Sequence, residues 1–161
     1  MDLIKGIAIC AGMESINVPG ATGNIDTNFE GKAAAALDAL ARGADFVYIH
    51  IEAPDECGHR HEIEGKVRAI ELIDEKVVGP IVTEMNARQE DFSVMVLPDH
   101  PTPLSLRTHT AEPVPYLIYR SNVKGPGGRY DETGAGKSGL FQPEGPLLLN
   151  YFFGLKEEKD V

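Results

Sequence analysis

Cysteine is scarce in this chain, and its scarcity bounds the chemistry first. Cys10 and Cys57 are the only two among 161 residues, and they form neither a C-x-x-C pair nor a disulfide-rich pattern. A thiolate-held structural zinc and a disulfide scaffold are therefore disfavoured, and a reduced, cytoplasmic protein is expected. Long apolar runs are also lacking. The longest are of strand length, far short of a membrane span. The start, MDLIKGIAIC, has no basic stretch leading into a signal-type apolar core, so neither export nor a membrane partner is indicated. Positive charge is in deficit, with 25 acidic against 15 basic residues and a formal net charge of −10. That balance argues against a nucleic-acid partner, because phosphate backbones are held by a lysine and arginine surplus. A small phosphorylated metabolite is still allowed, since a bound divalent ion can supply the missing positive charge locally.

What is present reads as one globular domain in which helix and strand alternate. Residues 27–42, TNFEGKAAAALDALAR, place Thr27 and Glu30 at capping-box spacing and run through alanine-rich helix formers to Gly43. DFVYIHIE (45–52) has the β-branched and aromatic content of a strand. Between 62 and 88, apolar residues at Ile63, Val67, Ile70, Ile73, Val77 and Ile81 keep helical spacing, and Gly79-Pro80 should kink that helix. SVMVL (93–97) is a continuous apolar run, expected of a strand covered on both faces, and VPYLIY (114–119) is another strand candidate. The glycine-rich stretch from Ser121 to Gly139 reads as a long loop. Together these predict an α/β fold with a largely parallel sheet flanked by helices.

Two segments resemble each other. DFVYIHIE is followed by APDECGHRHE, and SVMVL by PDHPTPLSLRTHT. Each is a strand candidate, then proline and aspartate, then histidine, and open α/β sheets bind ligands beyond the carboxyl ends of their strands. Asp55, His59, Asp99, His100 and His109 all fall in those positions. Carboxylate with imidazole suits manganese or zinc. Either Asp-His set alone reads more readily as a solvated turn; their recurrence at corresponding strand ends brings the metal reading level with that one. His50, inside a strand, and His61, at a helix start, read as packing or surface residues, and Cys57 as incidental. GAGKS (134–138) fails as a phosphate loop, because the required first glycine is Asp131 and no clear strand precedes it.

The run IEAPDECGH, the helix containing AIELID, and PDHPTP followed by RTHTAEPVPYLIY are similar to the C-terminal part of cofactor-independent phosphoglycerate mutases. The match is closer to their archaeal-type branch, within the alkaline phosphatase superfamily. DLIKGIAICAGM and VPGATGNIDTNFEGKA resemble that branch as well. The resemblance implies an alkaline phosphatase-like core and two divalent metals, manganese first, with zinc, magnesium or cobalt as alternatives. Asp55, His59 and His109 would share one ion, Asp99 and His100 would contribute to the second, and Lys5 would contact a substrate phosphate. The implied reaction interconverts 3- and 2-phosphoglycerate through a phosphoserine.

The chain departs from that pattern in one large respect. The family's early aspartate motif, its nucleophilic serine and its inserted phosphotransferase domain have no counterpart here. Residues 1–161 are therefore expected to be the C-terminal part of the phosphatase-like domain, lacking its N-terminal portion and inactive alone. Surface left bare by that loss could drive self-association. A homoserine kinase or phosphopentomutase-like transferase would use the same ligands, and a non-catalytic binding module is the alternative of another class. A smaller departure is RHE after His59, where glycine and an acid are more usual.

Overall fold

Alanine content sets the first long helix. The structure is a computed structural model describing residues 2–155, and in it α2 spans Phe29–Ala41 after the shorter α1, Asp2–Cys10. The cap of α2 differs from the expected capping box. Asn28, not Thr27, closes the helix, its side chain accepting from the Gly31 N–H at 2.8 Å. Thr27 is buried, and its hydroxyl accepts from the Thr22 N–H at 2.9 Å, closing the loop ahead of the helix. Gly43, at φ +98, ends the helical path where an L side chain would be strained.

Residues 45–52 belong to no β-ladder among the described residues, contrary to the strand expected there. Strand propensity describes a fit to a pleated neighbour, and no paired neighbour is supplied here. The next segment, expected as a loop, is instead helix α3, Ala53–His59. Pro54 is accommodated in the first turn, where its missing N–H has no helical partner to lose. Asp55 and Glu56 complement the positive helix N-terminus.

The helix expected over 62–88 is divided by a bulge. Helix α4 (Ile63–Ile73) runs into a π-helical turn, Asp74–Val78, and continues as α5, Gly79–Ala87. Pro80 has no N–H to give and its ring crowds the preceding turn, so the ladder opens one residue earlier. The Gly79 N–H reaches back five residues to the Asp74 carbonyl, and a Cβ at Gly79 would lie 3.1 Å from that oxygen. One extra residue rotates the later part of the helix by about 100°. The expected apolar stripe is not one buried face: Ile63, Val67 and Ile70 are more than half exposed, whereas Ala69, ahead of the bulge, and Val77 are buried.

The chain divides into two compact units. The first takes the residues up to Ala87 with Thr102–Thr110. Its core is Phe29, Ala33, Ala53, Ala69 and Val77, with Ile25, Ile49, Ile51, Leu72, Ile73 and Ile81 packed against it. Small alanines let α2, α3 and the long helix approach closely around Phe29, whose burial contributes about 1.5–3 kcal/mol.

The second unit takes Arg88–Pro101 and the residues from Ala111 onward. It contains β1 (Ser93–Val96) and β2 (Leu117–Arg120), with α6 (Glu132–Ser138) and α7 (Gly145–Phe153). The pair is antiparallel, in register Ser93 to Arg120 and Val96 to Leu117, and it is the only sheet among the described residues. The fold is thus α/β, but the parallel sheet expected from the sequence is absent from the described residues. Parallel pairing needs a crossover that is usually helical, and residues 97–116 contain no helix. Nor is β1 fully covered, since its four residues are all only partly buried. The expected 121–139 loop contains α6, capped by Asp131, whose carboxylate accepts from the Gly134 N–H at 2.6 Å. Arg120 donates to the Tyr151 and Phe152 carbonyls at 2.9 and 3.1 Å, satisfying the last turn of α7. Among the described residues, no helix is long and apolar enough to cross a membrane.

Candidate metal centre

Because α3 is a helix, Asp55 and His59 stand at i and i+4 on one face. His109 comes from 50 positions downstream, on the loop that belongs to the same compact unit. Their ligand atoms converge. Asp55 Oδ2 lies 3.3 Å from His59 Nε2, Asp55 Oδ1 lies 3.3 Å from His109 Nε2, and the two Nε2 atoms are 3.0 Å apart.

The protonation pattern follows from the neighbours. His59 Nδ1 donates to the Arg107 carbonyl at 3.0 Å, and a carbonyl can only accept. In the neutral ring the proton is thus on Nδ1, leaving an Nε2 lone pair aimed at a carboxylate and at a second imidazole nitrogen. A cation shared among these lone pairs and the carboxylate would satisfy all three at once. The spacing fits such an ion, since ligands about 2.0–2.1 Å from a zinc-type centre sit roughly 3.3 Å apart in a tetrahedron. The donor set and its second contacts therefore fit a divalent metal. The Asp55 side chain is 30 % exposed and that of His109 51 %, so the centre is open to solvent and to a small ligand.

Supporting residues emerge that the sequence did not mark. The buried Thr102 donates its hydroxyl to Asp55 Oδ1. Lys66 Nζ donates to the Thr102 carbonyl at 2.7 Å. Gly58 allows this close approach, because a Cβ there would lie 2.7 Å from the Thr102 carbonyl oxygen and 3.0 Å from Lys66 Nζ. The available signal was the threonine within PDHPTP, a polar residue between two prolines of a motif already quoted.

Asp99 and His100 are in the second unit, with Asp99 Oδ2 3.4 Å from His100 Nε2 and Oδ1 accepting from the His100 N–H at 3.1 Å. Lys5 is on α1, half-buried. Burial holds the Lys32 ammonium below the usual lysine range, with Glu52 opposing and Lys5 adding to the lowering; Lys32 Nζ donates to the His50 carbonyl at 2.6 Å. His50 is half-buried near Glu52, as a packing residue would be. His61 does not begin α4. It precedes the helix in a left-handed conformation, φ +58. Cys57 is fully buried, and burial pushes its thiol up, which suits the incidental role. GAGKS lies within α6, whose N-terminus is already occupied by the Asp131 carboxylate.

A family model described as the metalloenzyme superfamily matches residues 1–153, and the chain belongs to that superfamily. Among curated relatives, it is 52% identical over 128 residues to a 2,3-bisphosphoglycerate-independent phosphoglycerate mutase of Methanosarcina acetivorans, covering 80% of this chain and 32% of the relative. It is 50% identical over 150 residues to the enzyme of the same name from Methanothrix thermoacetophila, covering 92% of this chain and 38% of the relative. The solved structure of a Pyrococcus horikoshii protein superposes with a TM-score of 0.66 at 32% identity, over 76% of this chain and 36% of that one. The chain thus spans well under half the length of the proteins it matches.

Proposed function

We propose that this chain supplies the metal-holding part of a phosphotransferase of the phosphoglycerate mutase type, acting on a small phosphorylated metabolite. The observation that carries the reading is the convergence of Asp55, His59 and His109, with the His59 proton held on Nδ1 by the Arg107 carbonyl. Membership of a metalloenzyme superfamily and half-identity to named mutases support it. In this reading Asp55, His59 and His109 hold one divalent ion, manganese first among the candidates, and Asp99 with His100 contribute to a second. When bound, such an ion supplies positive charge to a phosphoryl oxygen and to the attacking hydroxyl.

The chain's own residues orient and order. Thr102 turns the Asp55 carboxylate toward the imidazoles, and the Arg107 carbonyl fixes the tautomer of His59. Lys5 is assigned to a substrate phosphate. The sequence offers no serine in the nucleophile's motif context, so these residues are given the metal-holding role, as the C-terminal part of a phosphatase-like domain.

The test is phosphorus NMR of 3-phosphoglycerate with substoichiometric Mn²⁺ and the chain, set against its His109→Ala variant. Paramagnetic broadening is expected to be stronger with the wild-type chain and to fall to the level of free Mn²⁺ in the variant. Equal broadening with both would overturn the reading.

A further inference from the structure

The loop that carries Thr102 and His109 is held by three side chains from one short stretch of chain. His59 Nδ1 donates to the Arg107 carbonyl at 3.0 Å, His61 Nδ1 to the Leu104 carbonyl at 2.6 Å, and Lys66 Nζ to the Thr102 carbonyl at 2.7 Å. Three donors in eight residues thus meet three carbonyls in six. The pattern is one-sided: every donor belongs to the segment from the end of α3 to the first turns of α4, and every acceptor is loop backbone.

Two features indicate that the arrangement is specific and not an incidental surface contact. His61 and Arg107 are both left-handed, at φ +58 and +56, a conformation that non-glycine residues rarely adopt unless surrounding contacts hold them there. One supplies a strap donor and the other a strap acceptor. Lys66 also reaches its carbonyl over Gly58, where any larger residue would collide with Thr102.

We propose that Lys66 and His61 are positioning residues for the metal centre. Resting on the metal reading above, they fix the loop so that the Thr102 hydroxyl meets Asp55 and His109 Nε2 meets His59. Neither is itself a ligand. Lys66 acts on the Asp55 side through Thr102, and His61 on the His109 side through the 104–107 turn.

The experiment uses the full 161-residue chain with Lys66→Met, Lys66→Arg and His61→Gly. Lys66→Met keeps the apolar stem but removes the donor, Lys66→Arg restores a donor, and His61→Gly removes the strap while relieving the left-handed backbone. Without metal, amide hydrogen exchange over residues 103–109 is expected to quicken in Lys66→Met and His61→Gly, and to return towards wild type in Lys66→Arg. Mn²⁺ affinity should fall about tenfold in the two strap-breaking variants, the usual scale for losing a residue that orients a ligand. His61→Gly separates positioning from simple stability, because relief of strain should leave its melting temperature unchanged or raised while metal binding weakens. Unchanged exchange and unchanged affinity in both variants would overturn the proposal. If the wild-type chain binds no Mn²⁺, the metal reading fails by itself, and the exchange rates still decide whether the straps hold the loop.

Discussion

His59 and His109 present their Nε2 atoms to each other at 3.0 Å, across the two oxygens of Asp55. The neutral His59 keeps its proton on Nδ1 for the Arg107 carbonyl, so its Nε2 can only accept, from a proton on His109 Nε2 or from a cation. The centre is organised around what a cation would satisfy and around hydrogen bonds that hold Asp55 and His59 in place. Helix geometry supplies the first two ligands and a strapped loop the third.

Thr102 is expected to matter to the centre beyond its size. Thr102→Val keeps the shape and removes the donor to Asp55 Oδ1. The change should cost about 1–2 kcal/mol of stability and weaken divalent-metal affinity by roughly tenfold or more. Urea unfolding and calorimetric titration of the variant check the two effects separately.

Gly58→Ala should be damaging although the added group is a single methyl. Its Cβ would meet the Thr102 carbonyl oxygen at 2.7 Å and Thr102 Cγ2 at 2.9 Å, so either α3 or the loop must move. Overpacking of this kind costs about 1–3 kcal/mol. Denaturant unfolding measures the loss, and a variant as stable as wild type would show that the contact is slack.

Tyr130 makes stability depend on alkaline pH. Partial burial pushes its hydroxyl up to about 12, with the Glu132 charge adding, while its single proton is shared between the Val96 and Pro115 carbonyls at 3.2 and 3.4 Å. The folded state therefore holds this proton more tightly than the unfolded state. The contribution is fully present below pH 10, the ordinary tyrosine value, and is lost as pH rises toward 12. Melting temperatures from pH 9 to 12 should fall more steeply for wild type than for Tyr130→Phe, and identical slopes would refute the assignment.

Legibility in the sequence was uneven for physical reasons. The alanine run of α2 and the apolar SVMV of β1 announce themselves locally, and both form close to where expected. APDECGH misleads, since Pro54 and Gly58 look like turn residues. Yet proline suits a helix's first turn, and Gly58 is there for the approach of Thr102. DFVYIHIE has strand composition but no ladder, because pairing is a property of the neighbour and not of the segment. Helix α7 was not anticipated, although Pro146 near its start and the left-handed Gly154 after its end are helix-boundary signals. Asp55, His59 and His109 stood out as an acid-and-imidazole pattern repeated in two segments. Their meeting at one ion was implied by the family resemblance and not by spacing, which cannot report a contact made across 50 positions. Lys66 and His61 gave no signal, because their partners are backbone carbonyls; Thr102 stands within PDHPTP, but its contact with Asp55 is made across 47 positions.

The most direct measurement is Mn²⁺ binding to the chain and to its His109→Ala variant, followed by loss of the free-ion electron paramagnetic resonance signal. The wild-type chain is expected to bind the ion at a site that His109→Ala severely weakens, with circular dichroism showing the variant still folded. Binding of equal strength in the two proteins, or none in either, would contradict a metal centre at Asp55, His59 and His109.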